Sequence, residues 1–282
     1  NEFTRIHVHT NQIGQAIEKA MDFWSFLNIR LENLKEQHEK IIDKTDKNRQ
    51  NNNKDLALIT KKFGFISVSV GNGFNDLFKD LGVDQIINGG QSMNPSTKDV
   101  LDAIEKIKAE NIVVLPNNKN IILTAQQAAE LCDKNKHNII VLPTENMPQG
   151  LSVMLNYTPD EKDINKNINQ MKDAIKSVRT GQITYAIRDT KIDNKKILKD
   201  DILCMNEDKI ILVEKNLDTA VKNLIDKMLE SGGDILTIYF GADVKQTDAK
   251  KIFDYARAKY TDIEIEMYDG GQPIYYYIIS VE

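Results

Sequence analysis

From residue 63 the chain repeats one pattern: a short β-branched run, a turn, then an amphipathic helical stretch. The runs are "FGFISVSV", "DQIIN", "NIVVLP" and "NIIVLP". The helical stretches that follow them are "NDLFKDLG", "STKDVLDAIEKIKAE", "IILTAQQAAELCDK" and "MPQGLSVMLN". Strands that alternate with helices are joined by crossovers, and crossovers make neighbouring strands parallel. The pattern predicts a parallel α/β subdomain over residues 56–158. "IVVLPNN" and "IIVLPTE" are near copies, each closed by Pro at a strand's carboxyl end. That edge is where open α/β sheets hold ligands. The plainer reading is that apolar strands look alike and Pro stops them.

Residues 159–282 read differently. A polar helix over roughly 160–178 leads into "GQITYAIRDTKID", which alternates like a strand. "DDILCMNEDKIILVE" reads as two strands around a turn, and "NLDTAVKNLIDKMLE" as a helix stopped by Gly232 and Gly233. The strand "DILTIYFG", the helix "TDAKKIFDYARAKY" and two strands in "DIEIEMYDGGQPIYYYIISVE" complete a second α+β subdomain. Its mixed sheet should hold five or six strands. Upstream, residues 1–42 form a small α+β segment: strand "TRIHVHT", helix "GQAIEKAMDFW", strand "FLNIRLENL". The polar, Asn-rich stretch 43–55 reads as a linker. Since the chain lacks an initial Met and a strand-like run starts at once, residues 1–42 read as the end of a preceding domain.

Charge excludes one class of partner. The net charge of −5 opposes a nucleic-acid grip, which needs clustered positive charge. The two Gly-Gly-Gln turns, at 89–91 and 270–272, therefore do not serve RNA contact. Cys132 and Cys204 stand far apart in no metal spacing, which suggests a reducing compartment. No apolar run approaches the roughly 20 residues of a transmembrane segment, and no signal peptide is evident. A cytoplasmic location is the expectation.

Three places could carry chemistry. His7 and His9 lie two apart on a strand, so both imidazoles share one side. They suit two ligands of one metal or a proton-transfer pair. Packing on a half-buried strand is the alternative. His38 and His137 are isolated. In "INGGQSMNPST", Gly89 and Gly90 allow close backbone approach, and Gln91, Asn94 and Ser96 offer amide and hydroxyl groups. The helix that follows has an N-terminus that favours an anion. The same residues could equally make a tight turn and a cap, with Ser96 and Asp99 resembling a capping box. "LPNNKN" adds Asn117, Asn118 and Asn120 at the next strand end. No P-loop lysine motif and no G-x-G-x-x-G follow a strand, and "VGNGFNDL" is the nearest approach. The second turn, Asp269, Gly270, Gly271 and Gln272, repeats the first and points to a structural use.

Several segments in order resemble one bacterial family. They are "IHVHT", "LENLKEQH", "INGGQSMNPST", "LPNNKN", "LPTENMPQGL", "GQITYAIRDT" and "DGGQPIYYYIISVE". The chain is similar along nearly its whole length to the ATP-binding subunit of bacterial fatty acid kinase, a dihydroxyacetone-kinase-like (DAK) family. That resemblance implies an N-terminal lobe binding ATP and magnesium, a central domain with functional histidines and a cysteine, and a DegV-like C-terminal region. This chain would hold the end of the central domain and the DegV-like region, and would be inactive without the lobe. His7 and His9 match the family's His-x-His motif and would be catalytic, with zinc as a candidate ligand whose third donor lies outside the chain. Cys132 does not replace the family's upstream cysteine. DegV proteins hold a fatty-acid carboxylate with a Thr-Ser-Gln-Pro-Ser turn and a later Ser-Gly turn. "GGQSMNPST" and "LPNNKN" stand in those places, with Gly89 and Gly90 where hydroxyl-bearing residues would be. A retained structural turn or an interaction surface is therefore expected over a lipid pocket. The implied activity of the whole protein is phosphorylation of a fatty acid presented by a DegV-like carrier, giving acyl phosphate for phospholipid synthesis. This portion would dock that carrier and aid formation of a homodimer. The alternatives are a fatty-acid- or carboxylate-binding module and a dihydroxyacetone-type kinase.

Overall fold

The computed structural model describes residues 12–23, 61–90, 94–133, 136–192, 195–206 and 209–282. Contacts divide the chain into two units, 1–54 and 55–282. In the first, helix α1 (Ile13–Met21) shelters Ala16, Ile17 and Ala20 on one side. The strands expected at 4–10 and 26–32, and with them His7, His9 and His38, lie outside the described residues.

The second unit opens with four parallel strands, β1 (Lys61–Ser69), β2 (Gln85–Asn88), β3 (Ala109–Leu115) and β4 (Asn138–Val141), ordered β2-β1-β3-β4. Alternation of side chains builds both faces. Phe63 and Phe65 of β1 and Val113 and Leu115 of β3 pack with α2 (Asn72–Asp80), α5 (Met147–Leu155) and α6 (Ile164–Ser177). Ile66, Val68, Ile112 and Val114 point the other way, against α3 (Thr97–Ile104) and α4 (Lys119–Leu131). With helices on both faces, β1 and β3 are buried and read as nearly continuous apolar runs.

Six strands form the second sheet, ordered β11-β10-β12-β5-β8-β9. They are β5 (Arg179–Tyr185), β8 (Ile202–Asn206), β9 (Lys209–Glu214), β10 (Ile235–Phe240), β11 (Glu264–Asp269) and β12 (Tyr277–Val281). Only β10 and β11 pair in parallel. Helices α7 (Leu217–Leu229) and α8 (Gln246–Lys259) cover one face. The opposite face sends Tyr239 and Ile278 into the core of the parallel subdomain, where the Tyr239 ring lies 4.8 Å from that of Phe74. The fold is DegV-like: a parallel α/β sheet followed by a mixed sheet.

Two stretches depart from the local pattern. The helical pattern of 96–110 ends at Ile104, because Ala109 is already paired with Lys61 and fully buried. Sheet pairing overrides the helix propensity of "EKIKAE". The alternation of "GQITYAIRDTKID" breaks at Ala186, which exchanges backbone hydrogen bonds with Asp200 and Asp201. The chain then leaves the sheet as a separate hairpin, β6 (Thr190–Ile192) and β7 (Lys195–Ile197). Gly232 does end α7's turn with a positive φ of 77°.

Candidate functional site

Strand β1 leads through α2 to β2 on one side, and β2 returns through α3 past β1 to β3 on the other. The winding reverses between β1 and β3, and a crevice opens at such a reversal. A cleft lies there. From the parallel sheet it takes Val68, Val70, Gly89, Gly90, Asn117 and Asn118. The α5 entry adds Glu145, Asn146 and Met147, and the second subdomain adds Gln182, Ile274 and Ile278. Its free volume is about 90 Å³, space for a handful of water molecules.

Asn117 ties the cleft together. It adopts φ 52°, a left-handed conformation that Asn tolerates better than most residues. Its backbone N–H donates to Thr144 Oγ1 at 3.0 Å. Its side-chain amide donates to Ser67 Oγ at 2.9 Å and to the Val68 carbonyl at 2.8 Å. Asn117 Oδ1 has no partner and faces α5 where residue 150 is Gly; a Cβ there would lie 2.2 Å away. Through its side chain and its backbone N–H, this one buried residue after β3 thus joins β1 and the loop after β4.

Two helices begin at the cleft. Asn118 caps α4, its Oδ1 accepting from the Asn120 N–H at 2.9 Å. Asn146 caps α5, accepting from the Gln149 N–H at 3.0 Å and from the Thr180 hydroxyl at 3.1 Å. Both N-termini add positive potential. At the rim, Lys119 pairs with Glu145 at 3.2 Å. The remaining polar lining is amide and hydroxyl, suited to holding a group rather than to moving protons. Among the described residues no group of three His, Cys, Asp or Glu could hold a metal ion. Burial pushes the Cys132 thiol up to about 11 and that of Cys204 to about 12, so neither is a thiolate near neutral pH.

The structure distributes the expected residues unevenly. Gly89, Gly90, Asn117 and Asn118 line the cleft. Gln91 lies outside the described residues. Ser96 completes a capping box with Asp99 on α3, Asn94 is exposed, and Asn120 contributes its backbone to the α4 cap. Gly90 has no positive φ; a Cβ there would lie 3.0 Å from Val70 Cγ1. His137 donates to or accepts from no cleft residue: its Nδ1 sits 2.7 Å from the Ala109 carbonyl. Sequence reasoning missed Asn146, whose Asn followed by Pro148 at the second helical position is a start signal. It also missed Gln182 and Ile274, which come from segments more than 30 residues away along the chain and carry no local signal.

The second Gly-Gly-Gln turn does other work. The Gly270 carbonyl accepts from the Phe74 N–H at 3.1 Å and so occupies the N-terminus of α2. Gly71 has φ 100°, and a Cβ on it would lie 2.4 Å from the Gly270 oxygen. A Cβ on Gly73 would lie 1.7 Å from the Asp269 oxygen. Gln272 is 1 % exposed and donates to the Tyr239 carbonyl at 3.2 Å. "VGNGF", the chain's nearest approach to a phosphate loop, is therefore filled by the backbone of residues 269–271. The turn joins the two subdomains.

Comparison with known proteins agrees with this fold. A protein of Staphylococcus epidermidis is 38% identical over 282 residues, and one of Staphylococcus aureus 36% over 281. Each match covers 100% of this chain and 50% of the relative, so the chain spans about half the length of the curated relatives it matches. Among solved structures, a hypothetical protein of Thermotoga maritima with fatty acid binding function superposes with TM-score 0.59 at 11% identity, over 78% of this chain and 99% of its own. DegV of Bacillus subtilis, a fatty acid binding protein, gives 0.55 at 13% over the same shares. The Fak B3 protein of Streptococcus pneumoniae, loaded with linoleic acid, gives 0.53 at 10%, again over 78% and 99%. At these identities the likeness is one of fold. The sequence matches the C-terminal region of the FakA-like fatty acid kinase family over residues 64–282, and the middle domain of the same family over residues 1–41. The chain belongs to the FakA-like fatty acid kinase family, of which it carries middle-domain and C-terminal sequence.

Proposed function

We propose that this chain is the carrier-docking part of a fatty acid kinase. The whole protein transfers the γ-phosphoryl group of ATP to the carboxylate of a fatty acid held by a separate DegV-like protein, and the acyl phosphate feeds phospholipid synthesis. ATP and magnesium belong to a lobe outside this chain. The observation that carries the reading is a DegV-like fold with aromatic side chains packed between its parallel sheet and a covering helix. Phe63, Phe65 and Tyr157 interlock between the parallel sheet and α6, with the Tyr157 ring 5.4 and 4.7 Å from the two phenylalanine rings. The cleft at the sheet reversal, about 90 Å³, is small for a long acyl chain. A DegV-like fold whose cleft at the sheet reversal is this small suits recognition of a partner.

Two measurements test this. Native mass spectrometry of protein from a lipid-rich host should show no co-purified fatty acid. A bound acyl chain would instead favour the second reading, a carboxylate-binding module, which the two helix N-termini at the cleft support. Calorimetry with MgATP should show no specific heat, since the Gly270 carbonyl holds the one helix start that resembles a phosphate loop. Micromolar affinity would overturn the assignment of ATP to another lobe.

His7 and His9 are proposed to act in the reaction of the whole protein, with zinc as their ligand. His7→Ala or His9→Ala should abolish acyl-phosphate formation while the melting temperature stays near wild type. A melting temperature that falls in step with activity would make the pair structural. Metal analysis of the whole protein should find zinc lost in both variants.

A further inference from the structure

Each cap at the cleft uses only half of an amide. Asn118 Oδ1 accepts from the Asn120 N–H, and Asn146 Oδ1 accepts from the Gln149 N–H and the Thr180 hydroxyl. Those bonds fix which end of each amide is oxygen, so the end left over is an NH2 donor. Neither NH2 has a partner among the described residues. Gln182 reaches the cleft from β5, and its side chain makes no hydrogen bond among the described residues either. Three amides from three separate elements therefore line one cleft with unused donors.

Burial makes the first of these amides informative. Asn118 is 7 % exposed, and a donor so deeply placed is costly to leave unmade. The sealed unpartnered atoms among the described residues are Asn75 Oδ1, Asn117 Oδ1 and Gln272 Oε1. Asn118 Nδ2 is not one of them, so it opens onto the cleft that its residue lines. Helices α4 and α5 both start there, with thirteen and nine residues behind them, and their N-termini add positive potential. The one carboxylate in the lining, Glu145, is paired with Lys119 at the rim. Among the described residues the cleft thus offers donors and positive potential with no unpaired negative charge.

We infer that this cleft binds a phosphate group, with the amides of Asn118, Asn146 and Gln182 and the starts of α4 and α5 as its donors. A phosphate presents oxygens in every direction, so donors that arrive from three elements each meet one. A carboxylate presents its oxygens in one plane, and a cation finds no unpaired carboxylate in the lining. Neutral donors suffice, because backbone N–H groups at helix N-termini hold phosphate without a charged side chain. The free volume of about 90 Å³ has room for several waters and so admits an ion of this size. The site stands apart from the carrier reading, since it needs no partner protein.

Thermal unfolding of this chain in a titration of inorganic phosphate tests the site, with ionic strength held constant by sodium chloride so that screening does not mimic binding. The melting temperature should rise saturably with phosphate, as for any ligand that binds only the folded state. Asn118→Asp and Asn146→Asp should keep their caps, because aspartate caps a helix as well as asparagine does, while turning the free donor into a charged acceptor. Each should melt near wild type without phosphate and lose the rise with it. Gln182→Leu breaks no hydrogen bond among the described residues and should weaken phosphate binding about tenfold or more. It keeps the test decisive if either Asp variant misfolds. A wild-type chain with no saturable rise up to about 10 mM phosphate would overturn the site. So would a rise that all three variants share. Acetate that raises the melting temperature as strongly as phosphate would overturn the choice of phosphate. None of these outcomes bears on the carrier reading.

Discussion

Gly73→Ala is expected to be the most damaging single-methyl change in the described chain. The added Cβ would sit 1.7 Å from the Asp269 carbonyl oxygen, and the obstacle is backbone rather than a side chain that can swing aside. Overpacking a fitted interior costs about 1–3 kcal/mol, and a backbone obstacle puts this change at or above the upper end. A loss of about 3 kcal/mol would lower the melting temperature by roughly 6–12 °C in a chain of this size. Gly71→Ala should behave similarly, since its Cβ meets the Gly270 oxygen at 2.4 Å and its φ is 100°. Gly82 supplies the control: its φ is 92° but nothing lies within 4 Å of its would-be Cβ. Gly82→Ala should therefore cost only the strain, about 1–2 kcal/mol. Thermal unfolding of the three variants decides the matter. Equal losses in Gly73→Ala and Gly82→Ala would refute the seam.

Asn117→Ala is expected to be nearly as costly for a different reason. It strips both donors from Ser67 Oγ and the Val68 carbonyl, in a site where Ser67 is fully buried and Asn117 is 7 % exposed. Leaving a buried polar group unsatisfied costs about 1–3 kcal/mol. Alanine at a φ of 52° adds about 1 kcal/mol that asparagine tolerates better. Asn117→Gly loses the same hydrogen bonds without the strain, so the order of stability should be wild type, then Gly, then Ala. Urea midpoints at unchanged slope would read that order directly. An Ala variant as stable as the Gly variant would show that the left-handed conformation carries no cost here.

The strands and helices were largely legible because their signals are local. "FGFISVSV" and "NIVVLP" read as buried strands from their length and β-branched content, and the spacing of "NLDTAVKNLIDKMLE" places one apolar stripe on a helix. Ser96 and Asp99 were readable as a cap because a cap spans four residues. The errors fell where a distant partner overrode a local preference. Helix α3 is short because β1 recruits Ala109 into the sheet, and β5 stops because Asp200 and Asp201 return to pair with Ala186.

The two Gly-Gly-Gln turns show the same division. By itself the sequence determined that strand ends of the parallel subdomain gather asparagines, and that a DegV-like fold would result. It also determined the family, because long ordered segments identify a lineage without reference to contacts. Only the tertiary structure decided that Gly89 and Gly90 line a cleft while Gly270 and Gly271 join the subdomains against Gly71 and Gly73. It alone brought Gln182 and Ile274 to that cleft. The physical reason is range. Backbone propensity and hydrophobic period act over a few residues, whereas a close approach between two backbones depends on how two sheets pack, and no window of sequence contains both sides of that contact.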